Sequence, residues 1–413
     1  MARDPRAPRL LIVTDTTEFH PPFTGGGTER QLSELAFELA RDGIEVSAVA
    51  RVGDASIVPA EAAGSSFPIT HLGPGGGAKG AGWATLLPNA LFVMRVFLFL
   101  VRYHARYDVL LVSGFRQLAL PSALVARLTG KRCIVRIESA WDLQARVSAE
   151  SEARMGRHGH RLVGLAIRAV RRAVFRWADH TVAFSDDIKT QLVEMGATLL
   201  KIRQIPNGVD TTRFAPAHAA TKRALRMQLG LPQDKTLFVF TGRICRSKGV
   251  LDLLRLWQTL VHRSDLHLVL VGSGAGSHDN CEPRARELMA AHPQALTMTG
   301  AVNNVEHYLQ ACDAFIFLSH FEAFSLSILE ALASGLPSIV TDVGGAREVI
   351  RPHAWGTVVP IRAATERLSD EVDWLLSRKH EWPVMGKLAR EAVMYRYSMA
   401  TVARQYAALV QGA

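Results

Sequence analysis

Glu322 and Glu330 stand in HFEAFSLSILEALASGLPSIV (320–340) with seven residues between them, in a stretch that is otherwise mostly apolar. Two acids could work together as a general acid and base, or each could accept hydrogen bonds from hydroxyl groups of a ligand. AFIFLS (314–319) reads as a strand, HFEAF as a loop, and Ser325 onward as a helix stopped by Gly335 and Pro337. Glu322 then lies in the loop and Glu330 near the helix middle, so the two do not share a helix face. Such spacing suits two separate contacts along an extended ligand. The amides near Phe324, Ser325 and Leu326 form the free helix start, where a phosphate is favoured. The plainer reading is a solvated Glu322 and a Glu330 in a surface ion pair.

Other stretches carry compatible chemistry. TGRICRSKG (241–249) follows an apolar strand and places Arg243 and Lys248 on the loop at its C-terminal end. Ligands bind at that end of open parallel sheets. Two cations there suit two phosphate groups, or are simply two solvated loop charges. GGG (25–27) lies between a strand and a helix, where missing side chains let backbone approach an anion. A glycine turn needs no ligand, however, and this one is neither the dinucleotide fingerprint nor a P-loop. VGSGAGS (271–277) lacks the GxGxxG spacing and reads as a turn. Two cations, a helix start and two carboxylates together fit a nucleoside diphosphate carrying a polyhydroxyl group. Cations and amides would hold the diphosphate, and carboxylates would accept from sugar hydroxyls.

The elements that must position these groups follow an α/β pattern. LLIVTD (10–15), a glycine loop, the helix TERQLSELAFELARDG and VSAVA (46–50) form a strand–loop–helix–strand unit. Thr28 reads as its N-cap and Gly43 as its stop. DVLLVS (108–113), a helix near 118–129, CIVRIE (133–138) and HTVAFS (180–185) continue the series. A second series runs through TLFVFTG (236–242), LHLVLVGSG (266–274), AFIFLS and PSIVTD (337–342). The chain therefore reads as two Rossmann-like parallel-sheet domains facing a central cleft. The expected boundaries are 1–206 and 207–390, followed by a helical segment, 391–413. IPNGVD forms the join, with Asn207 and Gly208 as turn residues and hinge.

The 413 residues are 48% hydrophobic and 21% charged, a globular composition whose core needs neither disulfides nor metal. Cys133, Cys245, Cys281 and Cys312 show no CxxC or zinc spacing and read as small core residues in a reducing compartment. MARDPRAPRLLIVTDTTEF has only a strand-length apolar run, not a secretion signal, so a cytoplasmic protein is expected. A net charge of +10 admits nucleic acid, anionic lipid or phosphorylated ligands. No helix-turn-helix, zinc or aromatic-basic motif supports nucleic acid. Residues 154–176 carry seven arginines. They form either an arginine-faced surface helix or a patch that docks peripherally on an anionic membrane. LFVMRVFLFLV (91–101) is too short to span a bilayer and is interrupted by Arg95. It reads as a buried helix, with an interfacial helix as the second reading.

HFEAFSLSILEALASGLPSIVTDVGGAREVI resembles the donor-binding signature of family-four retaining glycosyltransferases, which have the two-domain GT-B fold. GGGTER, IPNGVDTTRF, TGRICRSKG, LVLVGSG and MTGAVNNVEHYLQACDAFIFLS occur in that family's order. The likeness is strong over about 180–350 and weaker before it. It implies a catalytic set of Arg243 and Lys248 on the donor diphosphate and Glu322 on the donor sugar's hydroxyls. It also implies backbone contacts from Ala323, Phe324 and Ser325, ribose contacts from Glu330, and a nucleobase near Val302. Gly26 and Gly27 match the glycine loop that closes over the phosphates, and 391–413 matches a tail that crosses back to the first domain. The implied partners are a UDP- or GDP-sugar donor and a glycan, lipid-linked or small-molecule acceptor.

The pattern also departs from the family. Where relatives show a histidine after the CIVRI strand, this chain has Glu138 and Ser139, which leaves Glu138 as a candidate sugar contact. Ala323 and Ser325 replace glycines. No Asp-x-Asp motif would hold a nucleotide-bound metal, so no metal or other cofactor is expected. The resemblance implies same-face displacement by a hexosyltransferase in a bacterial surface-polysaccharide or glycolipid pathway. The rival readings are a sugar-nucleotide epimerase of similar layout and a non-catalytic scaffold subunit at the membrane.

Overall fold

Short runs of β-branched, leucine and phenylalanine residues make the strands. The computed structural model describes residues 7–16, 27–51, 67–73, 83–115, 117–137 and 149–412, with backbone only at 83–86 and 149–162. Two compact units result: Met1–Pro206 with Val402–Ala413, and Asn207–Thr401.

In the first unit, β1 (Arg9–Val13), β2 (Glu45–Arg51), β3 (Ile69–Leu72), β4 (Val109–Ser113), β5 (Arg132–Arg136), β6 (His180–Ala183) and β7 (Ile202–Gln204) form one parallel sheet. Its order is 3-2-1-4-5-6-7. Leu10 to Val13 and Val109 to Val112 are almost wholly buried, as expected where helices cover both faces. The Asp108 carboxylate accepts from Arg9 Nε and Nη2, both at 2.9 Å, and from Lys131 Nζ at 3.3 Å. The Arg9 hydrogen bond is the main reason its pKa is held well below the usual carboxylate range.

The second unit holds β8 (Thr236–Thr241), β9 (Leu266–Val271), β10 (Leu296–Met298), β11 (Ala314–Phe317), β12 (Ser338–Thr341) and β13 (Gly356–Val359). These are parallel in the order 10-9-8-11-12-13. Phe240 stacks on Phe317 at 5.5 Å between ring centroids, and Phe238 meets Trp257 edge-on at 5.6 Å. All four cysteines are free and buried.

Three expectations change. The first helix is Gly27–Arg41, so Thr28 lies inside its first turn rather than capping it. The apolar run 91–101 is not wholly buried. It belongs to the helix Trp83–Arg102, where Phe92, Val96 and Leu100 are fully buried but Leu91, Met94, Leu98 and Val101 are 44–56% exposed. Residues 391–397 continue the helix Trp382–Tyr397 of the second unit, and the chain rejoins the first unit only at Val402, within the helix Met399–Gln411. Arg390 explains the difference: its guanidinium donates to the carbonyls of Phe214, Ala333 and Thr211, tying that helix to the second unit.

Candidate active site

The carboxyl ends of β8, β11 and β12 are clasped together. After β8 the chain enters a tight 3-10 turn, Arg246–Lys248, and leaves it through Gly249 at φ 68°. A Cβ on Gly249 would lie 1.8 Å from the Leu318 carbonyl oxygen, so glycine is what lets this turn rest on the β11 loop. The Ser247 carbonyl accepts from the His320 amide at 2.9 Å and the Ser319 hydroxyl at 3.3 Å. Thr341, ending β12, donates to the Ser319 carbonyl at 2.5 Å. His320 Nε2 meets Asp252 at 2.6 Å, which pins the loop to the first turn of the helix Val250–Leu260.

The Asp279 carboxylate supports the turn from the other side, accepting from the Ser247 amide at 2.8 Å and the Ser277 hydroxyl at 2.7 Å. Burial opposes its ionisation. The hydrogen bonds from Ser277 and Ser247 outweigh that and hold its pKa well below the usual range. It is thus a fixed acceptor that shapes the cation-bearing turn.

On this frame, Lys248 Nζ donates to the Glu322 carboxylate, 74 residues away in sequence. The two side chains are only 18% and 12% exposed, and Lys248 also lies 5.9 Å from the Phe317 ring centroid. Gly344, at φ 43°, backs Glu322: a Cβ there would sit 2.6 Å from the Glu322 carbonyl oxygen. Arg243 is exposed, and its side chain makes no hydrogen bond or ion pair among the described residues.

Past Glu322, Ala323 is half-buried and Phe324 buried. The Phe324 ring lies 5.8 Å from Tyr397, and its carbonyl accepts from Asn207 Nδ2 at 3.1 Å. Asn207 thereby ties IPNGVD to this loop. Gly208 packs so closely on Met399 that a Cβ would come within 2.9 Å of its Cα. Ser325 stands at the N-cap of the helix Leu326–Ala333 but its hydroxyl makes no capping bond, which leaves the first-turn amides without a partner from the cap side chain. Glu330 is 4% exposed, which removes the surface-ion-pair alternative. The Gly272 amide donates to the Gly300 carbonyl at 3.1 Å, joining the β9 and β10 exits just before half-buried Val302.

The structure thus puts Lys248 against Glu322 and Asn207 against Phe324, with Ser325 and Glu330 on the same loop and helix. Gly27 opens the first helix of the first unit. Gly26 and Glu138 lie outside the described residues. Sequence reading missed Asp279, Asp252, His320, Thr341 and Gly344. Only the paired glycines of DVGGA, directly after a strand, gave a local signal. Among the described residues, no group of three or more His, Cys, Asp or Glu side chains is placed to hold a metal ion.

Two parallel α/β units, one gathering cations, an uncapped helix start and carboxylates at its strand ends, define a two-domain GT-B architecture. The solved sucrose-phosphate synthase from Thermosynechococcus elongatus shares that fold, with a TM-score of 0.76 at 21% identity over 97% of this chain and 98% of that one. Residues 25–213 match the family model Glycosyltransferase Family 4, and residues 221–392 match Glycosyl transferases group 1. The chain belongs to this glycosyltransferase family. It is 34% identical over 227 residues to a GDP-mannose-dependent alpha-mannosyltransferase of Mycobacterium tuberculosis, covering 54% of each chain, so it spans about half that relative's length. It is 29% identical to the D-inositol 3-phosphate glycosyltransferase of Kineococcus radiotolerans, over 82% of this chain and 79% of that one.

Proposed function

We propose that the protein moves a hexosyl group from a UDP- or GDP-sugar to a hydroxyl of a glycan, lipid-linked or small-molecule acceptor, with retention and without a metal. The pathway proposed is cytoplasmic synthesis of a bacterial surface polysaccharide or glycolipid. The observation that carries the donor reading is the Lys248–Glu322 pair beside the uncapped start of Leu326–Ala333. Cation and amides suit a diphosphate, and the carboxylate suits the attached sugar. Glu330, the fifth residue of that helix, is assigned to the ribose hydroxyls.

In the proposed reaction the acceptor oxygen forms its bond to the anomeric carbon on the face from which the diphosphate departs. The bond from anomeric carbon to phosphate oxygen breaks, and that oxygen takes the acceptor's proton. The protein's share is to stabilise the charge on the leaving diphosphate, through Arg243, Lys248 and the helix amides, and to hold the sugar in place. Asn207 and Gly208 are assigned to a hinge for closure over the donor.

The test is a thermal-shift screen against UDP, GDP and their sugars in the presence of EDTA, followed by NMR of the product anomer. One nucleotide series should shift the wild type and fail to shift Lys248→Ala. Folded protein that responds to no sugar nucleotide would overturn the reading in favour of a scaffold subunit.

A further inference from the structure

We infer that the outer face of the helix Trp83–Arg102 is a docking surface for an anionic lipid bilayer. Leu87, Leu91, Met94, Leu98 and Val101 follow one another at spacings of four, three, four and three residues, which sets them in one stripe along the helix. Each is 44–66% exposed, while Phe92, Val96 and Leu100 on the opposite side are fully buried. Among the described residues the helix therefore carries apolar side chains both on its buried side and along an exposed stripe, with Arg95 and Arg102 its only charges. That is unusual for a surface helix, whose outer face is normally polar. A continuous apolar stripe of this kind marks an interaction site.

Charge says what covers it. From Trp83 to Ile137 the only acidic residue is Asp108, and none occurs between Ala153 and Ala178. The helix Trp83–Arg102 packs on Ala119–Thr129, which in turn packs on Ala149–Trp177, so these acid-poor segments form one layer. Arg95 and Arg102 flank the stripe, are exposed, and have no acidic partner among the described residues. At the helix end, Arg102 and Arg106 lie 5.5 and 4.6 Å from the Tyr103 ring centroid. Further along the layer, Arg168 and Arg172 are exposed beside Leu165. Leucines that can enter the acyl boundary, with arginines and a tyrosine at headgroup level, complement an anionic bilayer. A protein partner would have to place a carboxylate opposite each arginine, whereas anionic headgroups present negative charge at every point of the contact. No described helix is long and apolar enough to cross a membrane, so the contact is one of lying on the surface.

This inference does not depend on the donor site, and its test separates the two. The 413-residue chain is floated with vesicles of equal parts phosphatidylglycerol and phosphatidylcholine, and with phosphatidylcholine alone. The wild type should float with the anionic vesicles only, and less so at high salt. Leu91→Gln with Leu98→Gln should lower partitioning about a hundredfold. Arg95→Gln with Arg102→Gln should lower it about thirtyfold. Both variants should keep the wild-type melting curve and nucleotide-induced thermal shift. Equal flotation of wild type and either variant, or no flotation of folded wild type, would overturn the inference. So would a wild-type dimer by light scattering that the leucine variant converts to monomer without any vesicle binding, because the stripe would then belong to a second copy.

Discussion

Glu322→Gln should separate two affinities that a simple binding-site picture would move together. Lys248 now donates to Glu322, and both side chains are mostly shielded from water. If Lys248 is to hold a donor diphosphate, the carboxylate competes for it and also repels the phosphates. A hydrogen bond between charged groups is worth about 1.5–3 kcal/mol when shielded, and well under 1 kcal/mol when solvent-exposed. The partial exposure here places the competition at about 1–2 kcal/mol. Glutamine keeps the shape and an acceptor for Lys248 but removes the charge. Bare UDP or GDP should therefore bind Glu322→Gln about 5–30-fold more tightly than wild type. The nucleotide sugar should not share the gain, because a charged acceptor for sugar hydroxyls is lost. Its kcat/KM should fall about 10–100-fold. Calorimetry with the nucleoside diphosphate, beside steady-state transfer, reads both quantities. If diphosphate affinity falls in Glu322→Gln, the competition between Glu322 and the phosphates for Lys248 is refuted.

Other predictions follow from the packing and the titrating groups. Gly249→Ala forces a Cβ against the Leu318 carbonyl at a positive φ, and should lower urea stability by at least about 1–3 kcal/mol along with transfer activity; an unchanged midpoint would refute that. Burial, the largest cause, lowers the pKa of His267, which sits between the Gln294 carbonyl at 3.0 Å and Thr297 Oγ1 at 2.8 Å. Its stabilising effect is full above an unfolded pKa of about 6.5 and declines as pH falls below it, so His267→Gln should flatten stability against pH in that acid range. Arg136 is 3% exposed, and its Nε and Nη1 lack hydrogen-bond partners among the described residues, so Arg136→Met should leave the melting temperature unchanged or higher; a clear loss would show that its contacts with the Phe184 and Tyr406 rings dominate.

Much of the fold was legible because parallel strands covered on both faces must be apolar throughout. LFVF, LVLV and AFIF announce themselves in that way, and the polar residues directly after them become conspicuous. Glu322 and Lys248 could be picked out for that reason, but their contact could not, since it joins two loops across adjacent strands. The roles of Asp279 beneath Ser247 and Gly344 behind Glu322 are likewise products of the sheet order. The run 91–101 misled for a different reason. Arg95 alone marks an outer side in this run, and the neighbouring helices decide how much of the rest is covered. The return to the first unit comes at Val402 rather than at 391 because Arg390 serves carbonyls of the second unit, a tie with no local sequence signature.

The discontinuity of the first unit bears on how the chain is made. Arg132, at the start of β5, donates to the carbonyls of Leu409 at 3.1 Å and of Val410, and Arg136 lies 5.7 Å from the Tyr406 ring centroid. Those partners emerge from the ribosome only after all of Asn207–Thr401. The second unit can thus close as soon as it is synthesised, while the older sheet waits, with one edge of its packing open, for a helix translated nearly two hundred residues later. A chain stopped at position 402 would contain all of Asn207–Thr401 but would lack the carbonyls of Leu409 and Val410 that receive Arg132.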